Sequence, residues 1–468
     1  MLRRSLLFSP IAALLKAKEP AEPLAVTNVT VIDATGAPER PETTVVLRSG
    51  RIVSVGNAPA PRGMAIVEGR GKYLIPGLWD AHVHALWDNE RPNVFFPLFL
   101  ANGVTSVREM GGPLPAAEQV RWRERVARRE VLGPDLIVPG PFVDGPQPIW
   151  PGSIRVGNEA EARRAVDDLQ RAGVQFVKVY SQVPRAAYFA LADEARKKHI
   201  PFAGHVPPFI DVTEASKAGQ RSIEHLMGVL LGTSSRGAEL TSQLLAGANV
   251  NQLNGALVDT YDAGRAAALC DLFVRNGTWQ VPTLTIRHAR PYLAELAAAN
   301  DPRLRYLPAP ITAGWISRDD PRQPGTAAAI ESRKRLYRKE VELVGAMNRA
   351  GVRIAAGTDT PNPFCFPGFS LHDELALLVE AGLSPLAALQ AATRNPAEMT
   401  GCAAELGTIE KNKRANLVLL DANPLADIRN TQKIAAVILQ GRLLTRNDLD
   451  GMLADALRAS GGSFRPPA

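Results

Sequence analysis

An apolar run, Tyr73-Leu-Ile-Pro-Gly-Leu-Trp-Asp-Ala-His-Val-His84, ends in two histidines separated by one residue. Along a strand, residues i and i+2 point to the same face. Both imidazoles can therefore aim at one point from a rigid backbone, as a metal site requires. A lone His-x-His is common enough as ordinary polar surface to prove nothing, so what counts is what converges on it. Other strand-like segments end in residues of the same kind: Lys178 lies in Phe176-Val-Lys-Val-Tyr180, His205 closes Pro201-Phe-Ala-Gly-His, His225 closes Ser222-Ile-Glu-His, and Asp359 closes Arg353-Ile-Ala-Ala-Gly-Thr-Asp. Four of the seven histidines thus sit at strand ends.

Lys178 decides how this set reads. A lysine inside an apolar strand is costly to keep charged, and its pKa falls. A neutral amine takes up CO2 to give a carbamate, an oxygen-donor anion able to bridge two cations. The plain alternative, a lysine paired with a carboxylate, loses ground once four histidines and an aspartate surround it. Two divalent metals ~3.5–4 Å apart can hold a bridging hydroxide. His82, His84 and Asp359 would bind one metal, His205 and His225 the other, and carbamylated Lys178 both. Imidazoles with carboxylates suit zinc (Zn2+), with cobalt, manganese or iron as alternatives. A bound metal lowers the pKa of its water to about 7, and Asp359 can carry the proton to a leaving amine. Asp80, two residues before His82, is left out of the chemistry.

These residues need a frame that brings them to one end. Between 73 and 403, short apolar strands alternate with helical patterns. With the His82 strand, the segments starting at Gly103, Leu136, Val174, Pro201, Ser222, Trp279 and Arg353 make eight. Amphipathic stretches such as Glu159 to Ala172, Arg185 to Lys198 and Ser332 to Ala350 lie between them. The pattern predicts an α/β fold, a parallel (β/α)8 TIM-like barrel with its chemistry at the C-terminal strand ends. Inserts over 230–269 and 301–325 are expected as walls or lids of the mouth. Residues 24–72 and 404–446 alternate in the manner of strands with turn punctuation, which predicts a small β-sandwich assembled from both ends. Residues 447–468 are expected as a C-terminal tail.

Composition narrows the class. The 468 residues are 46% hydrophobic, and the net charge of +7 is scattered rather than gathered into a basic stripe with interleaved aromatics. Nucleic-acid binding is therefore not expected. No apolar run reaches the ~20 residues of a membrane span. Cys270, Cys365 and Cys402 lie far apart, which fits neither a disulfide framework nor a thiolate metal site. Arg3-Arg4-Ser5-Leu6-Leu7 opens residues 1–23 in the manner of a twin-arginine export signal, but Pro10 interrupts the run, Lys16 closes it and no Ala-x-Ala follows. Export signal and disordered leader both stand as readings, and so do exported and cytoplasmic locations.

The sequence resembles the amidohydrolase superfamily, in particular its imidazolonepropionase-like and Xaa-Pro dipeptidase-like members with binuclear sites. The resemblance is carried by Pro76-Gly-Leu-Trp-Asp-Ala-His-Val-His84, Gly103-Val-Thr-Ser-Val-Arg-Glu-Met-Gly-Gly112, Phe176-Val-Lys178, Gly204-His205, Glu224-His225 and Ala356-Gly-Thr-Asp359. Leu371-His-Asp-Glu-Leu, Ala391-Ala-Thr-Arg-Asn-Pro-Ala397 and Leu406-Gly-Thr-Ile through Asn423-Pro-Leu extend it over most of 24–442. Two positions depart: Glu109 stands where an Asp is usual, which would shift a contact at the mouth, and Asn416 replaces an Asp of the C-terminal sheet. Members that use one metal need no lysine on the fourth strand, so Lys178 points to the binuclear, peptidase-like branch.

The resemblance and the residues together imply a hydrolase of amide C–N bonds acting on a small molecule, with dipeptides or N-acyl amino acids as the expected substrates. A cyclic-amide hydrolase or aminoheterocycle deaminase is the alternative on the same fold. A lactonase or phosphotriesterase uses the same metal pair, and a scaffold without activity would have lost ligands that are all present here. A substrate carboxylate needs a donor, for which Tyr180, Arg108, Arg287 and His288 are the candidates; Arg108 could instead pair with a neighbouring acid and Arg287 face solvent. The loop Phe142 to Trp150 is expected as a pocket wall, and His372 as structural. A homo-oligomer is left open.

Overall fold

The computed structural model describes residues 22–248, 250–315 and 326–461. The leader expected over 1–23 falls, through residue 21, outside the described residues, as do parts of the second insert and of the tail.

The two ends of the chain meet in one sheet. Its strands are β1 (Leu24–Val31), β2 (Arg40–Arg48), β3 (Arg51–Gly56), β4 (Ala65–Glu68) and β5 (Tyr73–Pro76), joined by the last three of the chain, Leu417–Leu420, Ile434–Leu439 and Arg442–Thr445. Strand β5 stitches the ends together, pairing parallel to β1 and antiparallel to Leu417–Leu420. The run Leu417-Val-Leu-Leu420 is apolar throughout because both of its faces are covered. Leu417 and Leu419 enter a small core with Val26, Leu47, Ile52 and Leu74, while Val418 and Leu420 enter the main core. A strand buried on both faces reads as a continuous apolar run.

The main body is α/β. Strand β6 (Leu78–Val83) pairs in parallel with β7 (Val104–Glu109), and β7 with β8 (Asp135–Ile137). A second parallel sheet contains β9 (Val143–Asp144), β10 (Ile154–Arg155), β11 (Val177–Val179), β12 (Phe202–Gly204), β13 (Ser222–Glu224) and β14 (Trp279–Val281), in the order β10-β9-β11-β12-β13-β14. Backbone hydrogen bonds run between the sheets at two seams. At one, Gln175 N donates to Val138 O at 2.9 Å. At the other, residues 353–360 lie between β14 and β6: Ala355 N donates to Gln280 O at 3.0 Å, Ala81 N to Ala356 O at 2.9 Å and His84 N to Thr360 O at 2.8 Å. The strand expected at Arg353–Asp359 is thus present only as isolated bridges, Gln280 with Ile354 and Val83 with Thr360.

The helices follow their sequence signals. Glu159–Arg171 starts at Asn158, whose side chain accepts from Glu161 N, and buries Ala162, Ala165, Val166 and Leu169 along one stripe. The expected tail is instead the helix Arg446–Ala459, opened by a capping box of Thr445 and Asp448, and Leu449, Met452 and Ala456 join the main core. No helix among the described residues is long and apolar enough to cross a membrane.

Candidate metal centre

The strand ends deliver six side chains to one place, and the backbone at these exits is unusual. His225 and Asp359 follow β13 and the 353–358 segment with φ of 58° and 61°, and Thr283 follows β14 with φ of 49°. Left-handed conformations are uncommon for such residues and cost about 1–3 kcal/mol each, a cost met chiefly at functional sites. Two glycines make room. A Cβ on Gly204 would lie 2.2 Å from Val179 O and 2.8 Å from Lys178 Cδ, and one on Gly357 would lie 2.7 Å from His82 Cβ.

Each of the four imidazoles is fixed through Nδ1. His82 Nδ1 meets Glu224 Oε2 at 2.7 Å, His84 Nδ1 meets Gly111 O at 2.7 Å, His205 Nδ1 meets Ser181 Oγ at 2.7 Å and His225 Nδ1 meets Thr283 Oγ1 at 2.7 Å. A carbonyl and a carboxylate only accept, so His84 and His82 carry the proton on Nδ1. The Thr283 hydroxyl donates to Pro282 O at 2.8 Å and therefore also accepts from Nδ1 of His225. In these rings Nε2 is left with its lone pair, the form in which imidazole binds a metal.

Those lone pairs meet a carboxylate. His84 Nε2 lies 3.1 Å and His82 Nε2 3.3 Å from Asp359 Oδ1. Three acceptors at that distance need positive charge among them. His82 Nε2 is buried without a hydrogen-bond partner, and His82, His225 and Asp359 offer ligand atoms that all lie within 4.8 Å of one another. A divalent cation fits this donor set. Lys178 lies alongside, fully buried, and its Nζ has no hydrogen-bond partner. Burial lowers the Lys178 amine to about 8, against the opposing pull of Glu224 and Asp359. Burial, followed by the nearby lysine charge, pushes His205 well below its ordinary value, and burial does the same to His225. For Asp359 burial acts upward, but the neighbouring His225, His82 and His84 outweigh it and hold the carboxyl well below the usual carboxylate range.

A relay behind the site was not legible as such. Arg108 is 2% exposed and donates to Glu224 Oε1 at 2.8 Å, to Glu224 Oε2 at 2.9 Å, to Ser222 Oγ at 2.9 Å and to Ala81 O at 2.6 Å. The substrate contact expected of Arg108 is therefore corrected: its guanidinium is committed to Glu224, which orients His82. Burial would raise the Glu224 carboxyl, but Arg108 and His82 bring it down to about 2. The Glu224-His225 pair is the available sequence signal, but the pattern does not say which side chain the acid meets. Glu109 takes Ala85 N at 2.7 Å and Leu86 N at 2.9 Å, so it pins the loop after His84 rather than forming part of the mouth. Asp80 accepts from Thr358 N at 3.1 Å and from His82 N at 3.2 Å, tying the two ligand segments together from outside the chemistry.

Above the ligands opens a cavity of about 840 Å3. His84, His205, His225 and Asp359 line it, with Tyr180 and Arg287 from the expected substrate contacts and Phe142, Ile149 and Trp150 from the expected wall loop. Asn254 and Trp315 reach it from the two inserts. Tyr180 Oη accepts from Trp150 Nε1 at 2.9 Å, and Arg287 pairs with Glu340, its Nε at 2.8 Å. His288 does not line the cavity; it stacks on Tyr292 with ring centroids 4.6 Å apart, because its helix turns it toward Tyr337 instead. His372 is buried among core residues, as its place in a helix implied.

Comparison with known proteins identifies the family. Residues 73–444 match the model of the Amidohydrolase family. An imidazolonepropionase of Rubrobacter xylanophilus is 25% identical over 444 residues, covering 86% of this chain and 90% of that one. Ochratoxinase of Aspergillus niger is 41% identical over 91 residues, a stretch that covers 19% of this chain and only 18% of that protein. Among solved structures, a Xaa-Pro dipeptidase with methionine bound in its active site superposes with a TM-score of 0.66 at 18% identity, covering 91% of this chain and 100% of that one. The likeness implies a TIM-barrel-like α/β fold, and with the match over 73–444 the chain belongs to the amidohydrolase family, hydrolases of carbon–nitrogen bonds.

Proposed function

We propose that the chain hydrolyses the amide bond of dipeptides or N-acyl amino acids at a binuclear metal site. The frame we assign is a closed (β/α)8 barrel over 73–403, with a β-sandwich built from 24–72 and 404–446; the two seams of backbone hydrogen bonds between the parallel sheets support closure. The reading of the site is carried by Lys178 Nζ, fully buried and without a hydrogen-bond partner beside imidazoles that present Nε2 and a carboxylate. Two Zn2+ ions would be held by His82, His84, His205, His225 and Asp359, together with Lys178 as its carbamate. When bound, such a pair supplies charge stabilisation at the carbonyl oxygen and a water acidic enough to attack near neutral pH.

The chain's own residues do the rest. The Nδ1 partners of His82, His84 and His225 hold those imidazoles in one tautomer before any ligand arrives, and Ser181 holds the ring of His205 in place. Asp359 Oδ2 takes the proton of the attacking water and passes it to the leaving nitrogen. Tyr180, whose hydroxyl oxygen is occupied by the Trp150 donor, keeps its own proton to offer to a substrate carboxylate.

The test is elemental analysis of the purified protein beside a Lys178→Ala variant, with and without added short carboxylic acids. About two metal equivalents falling to one or none, partly restored by the acids, supports the carbamate-bridged pair. One equivalent in both proteins sinks it and favours the cyclic-amide and deaminase alternative, which a screen of cyclic ureides and aminoheterocycles against dipeptides then separates.

A further inference from the structure

The wall beside the ligands is aromatic. Trp87 and Trp150 pack edge to face with ring centroids 5.1 Å apart, Trp87 lies 6.2 Å from Phe142, and Phe142 lies 4.7 Å from Tyr180. The wall begins at the ligands themselves: His84 is 6.0 Å from Trp87 and 5.8 Å from Phe142, and Tyr180 is 4.3 Å from His205. A cluster that served only to fill space would be sealed. Here Trp87, Trp150 and Tyr180 all keep intermediate exposure and all line the cavity. The indole N–H of Trp150 is already spent on Tyr180, so what Trp150 has left for a ligand is its ring.

Charge on the same cavity is one-sided. Arg91, Arg287, Arg290 and Arg333 line it, against the carboxylates of Glu340 and Asp359. Paired arginines still contribute to the field of the cleft, in which they outnumber the carboxylates, and so favour anionic ligands.

We infer that the substrates this site prefers are amides bearing a planar aromatic group close to the scissile bond together with a free carboxylate, and that Trp87 and Trp150 determine that preference. The inference rests on the amide-hydrolase reading above and narrows its substrate class. Position supports it: a ring laid against the wall that runs from Trp87 through Phe142 to Tyr180 lies next to His84 and His205, so it must belong to a group only a few bonds from the carbonyl that is attacked. Offset and edge-to-face contacts between such a ring and the wall add to what burial alone provides.

Two measurements on the purified, metal-containing protein test this. The first compares kcat/KM for N-acetyl-L-phenylalanine and N-acetyl-L-leucine. The second compares calorimetric binding of 3-phenylpropanoate with that of 3-cyclohexylpropanoate, which is as apolar but has no π face. Wild type should favour the aromatic member of each pair by about tenfold or more (~1.4 kcal/mol). Trp87→Leu and Trp150→Leu should each lower that aromatic-to-aliphatic ratio by about tenfold. Equal preference in wild type, or a ratio untouched by both substitutions, overturns the inference. Amide turnover without aromatic preference overturns the wall's role and leaves the amide reading standing. Aromatic discrimination in binding with no amide turned over does the reverse, refuting the reading of the reaction and keeping the aromatic wall.

Discussion

Removing the Arg108 guanidinium separates what stabilises this fold from what tunes its site. Arg108→Met keeps the length and apolar stem of the side chain but deletes its bonds to Glu224, Ser222 and Ala81. Glu224 is fully buried and would be left with His82 and Ser222 as its partners. Breaking a buried ion pair on one side costs about 3–5 kcal/mol, because the remaining charge is uncompensated. Net stabilities are about 5–15 kcal/mol, so the loss is a large fraction of the whole. The double variant Arg108→Met/Glu224→Gln removes both charges and should recover most of that loss. It should not recover metal affinity, since a glutamine holds His82 Nδ1 without the charge that raises ligand basicity; the expected cost is about 10–100-fold. Urea midpoints of the metal-free proteins read the first effect, and competition with a chromogenic chelator reads the second. If the double variant is no more stable than Arg108→Met, the ion-pair account is wrong. If Glu224→Gln alone leaves metal affinity within about twofold of wild type, the relay to His82 is wrong as well.

Three further outcomes follow from the same geometry. Gly204→Ala should reduce metal content and destabilise the chain, because Gly204 has φ of 130° and a Cβ there would meet Val179 O and Lys178 Cδ; a variant with full metal content and an unchanged urea midpoint would contradict this. Tyr180→Phe should raise KM for substrates with a free carboxylate far more than for the corresponding neutral amides, and equal effects on the two series would refute its anchoring role. His372 is pushed down to about 4 by burial, from an ordinary value of 6.5. A base whose folded pKa is depressed is neutral in both states above 6.5, and as pH falls from there toward 4 the unfolded chain takes up the proton first. The fold should therefore lose about 3 kcal/mol through this group over that window. His372→Gln should flatten that part of the urea midpoint against pH, and an unchanged slope would place the pH dependence elsewhere.

The residues that reach the site were legible because strand ends expose their chemistry in the sequence: an apolar run, then His, Lys or Asp. The eighth strand was less so. Its ladder is broken into bridges where Gly357 approaches His82, and a close backbone approach leaves only a glycine as its trace. Arg108 and Glu224 show a different limit. Each sits on a strand next to candidate ligands, and nothing in the local pattern says whether a polar strand-end residue faces the cavity or another strand. Register decides that, and the β6–β7 pairing shifts register between Leu78 and Trp79 and again between Asp80 and Val83. A shift of one residue moves a side chain to the other face. Arg287 and His288 are adjacent in sequence, yet one lines the cavity and the other stacks on Tyr292, because neighbours on a helix diverge by about 100°.

The placement of the protons ties these observations together. Gly111 and Thr283 fix two of the imidazoles by groups whose hydrogen-bonding sense is set independently of any ligand, and Glu224 fixes a third through a charge that Arg108 sustains. Their Nε2 lone pairs are consequently in place before a cation binds, so binding need not reorganise the rings. Asp359 Oδ1, 3.1–3.3 Å from two of those atoms, brings the negative charge that a cation would meet there. Metal-free protein should have the lower urea midpoint, because a cation that binds only the folded chain adds its binding free energy to folding, and a midpoint unchanged by a chelator would contradict this.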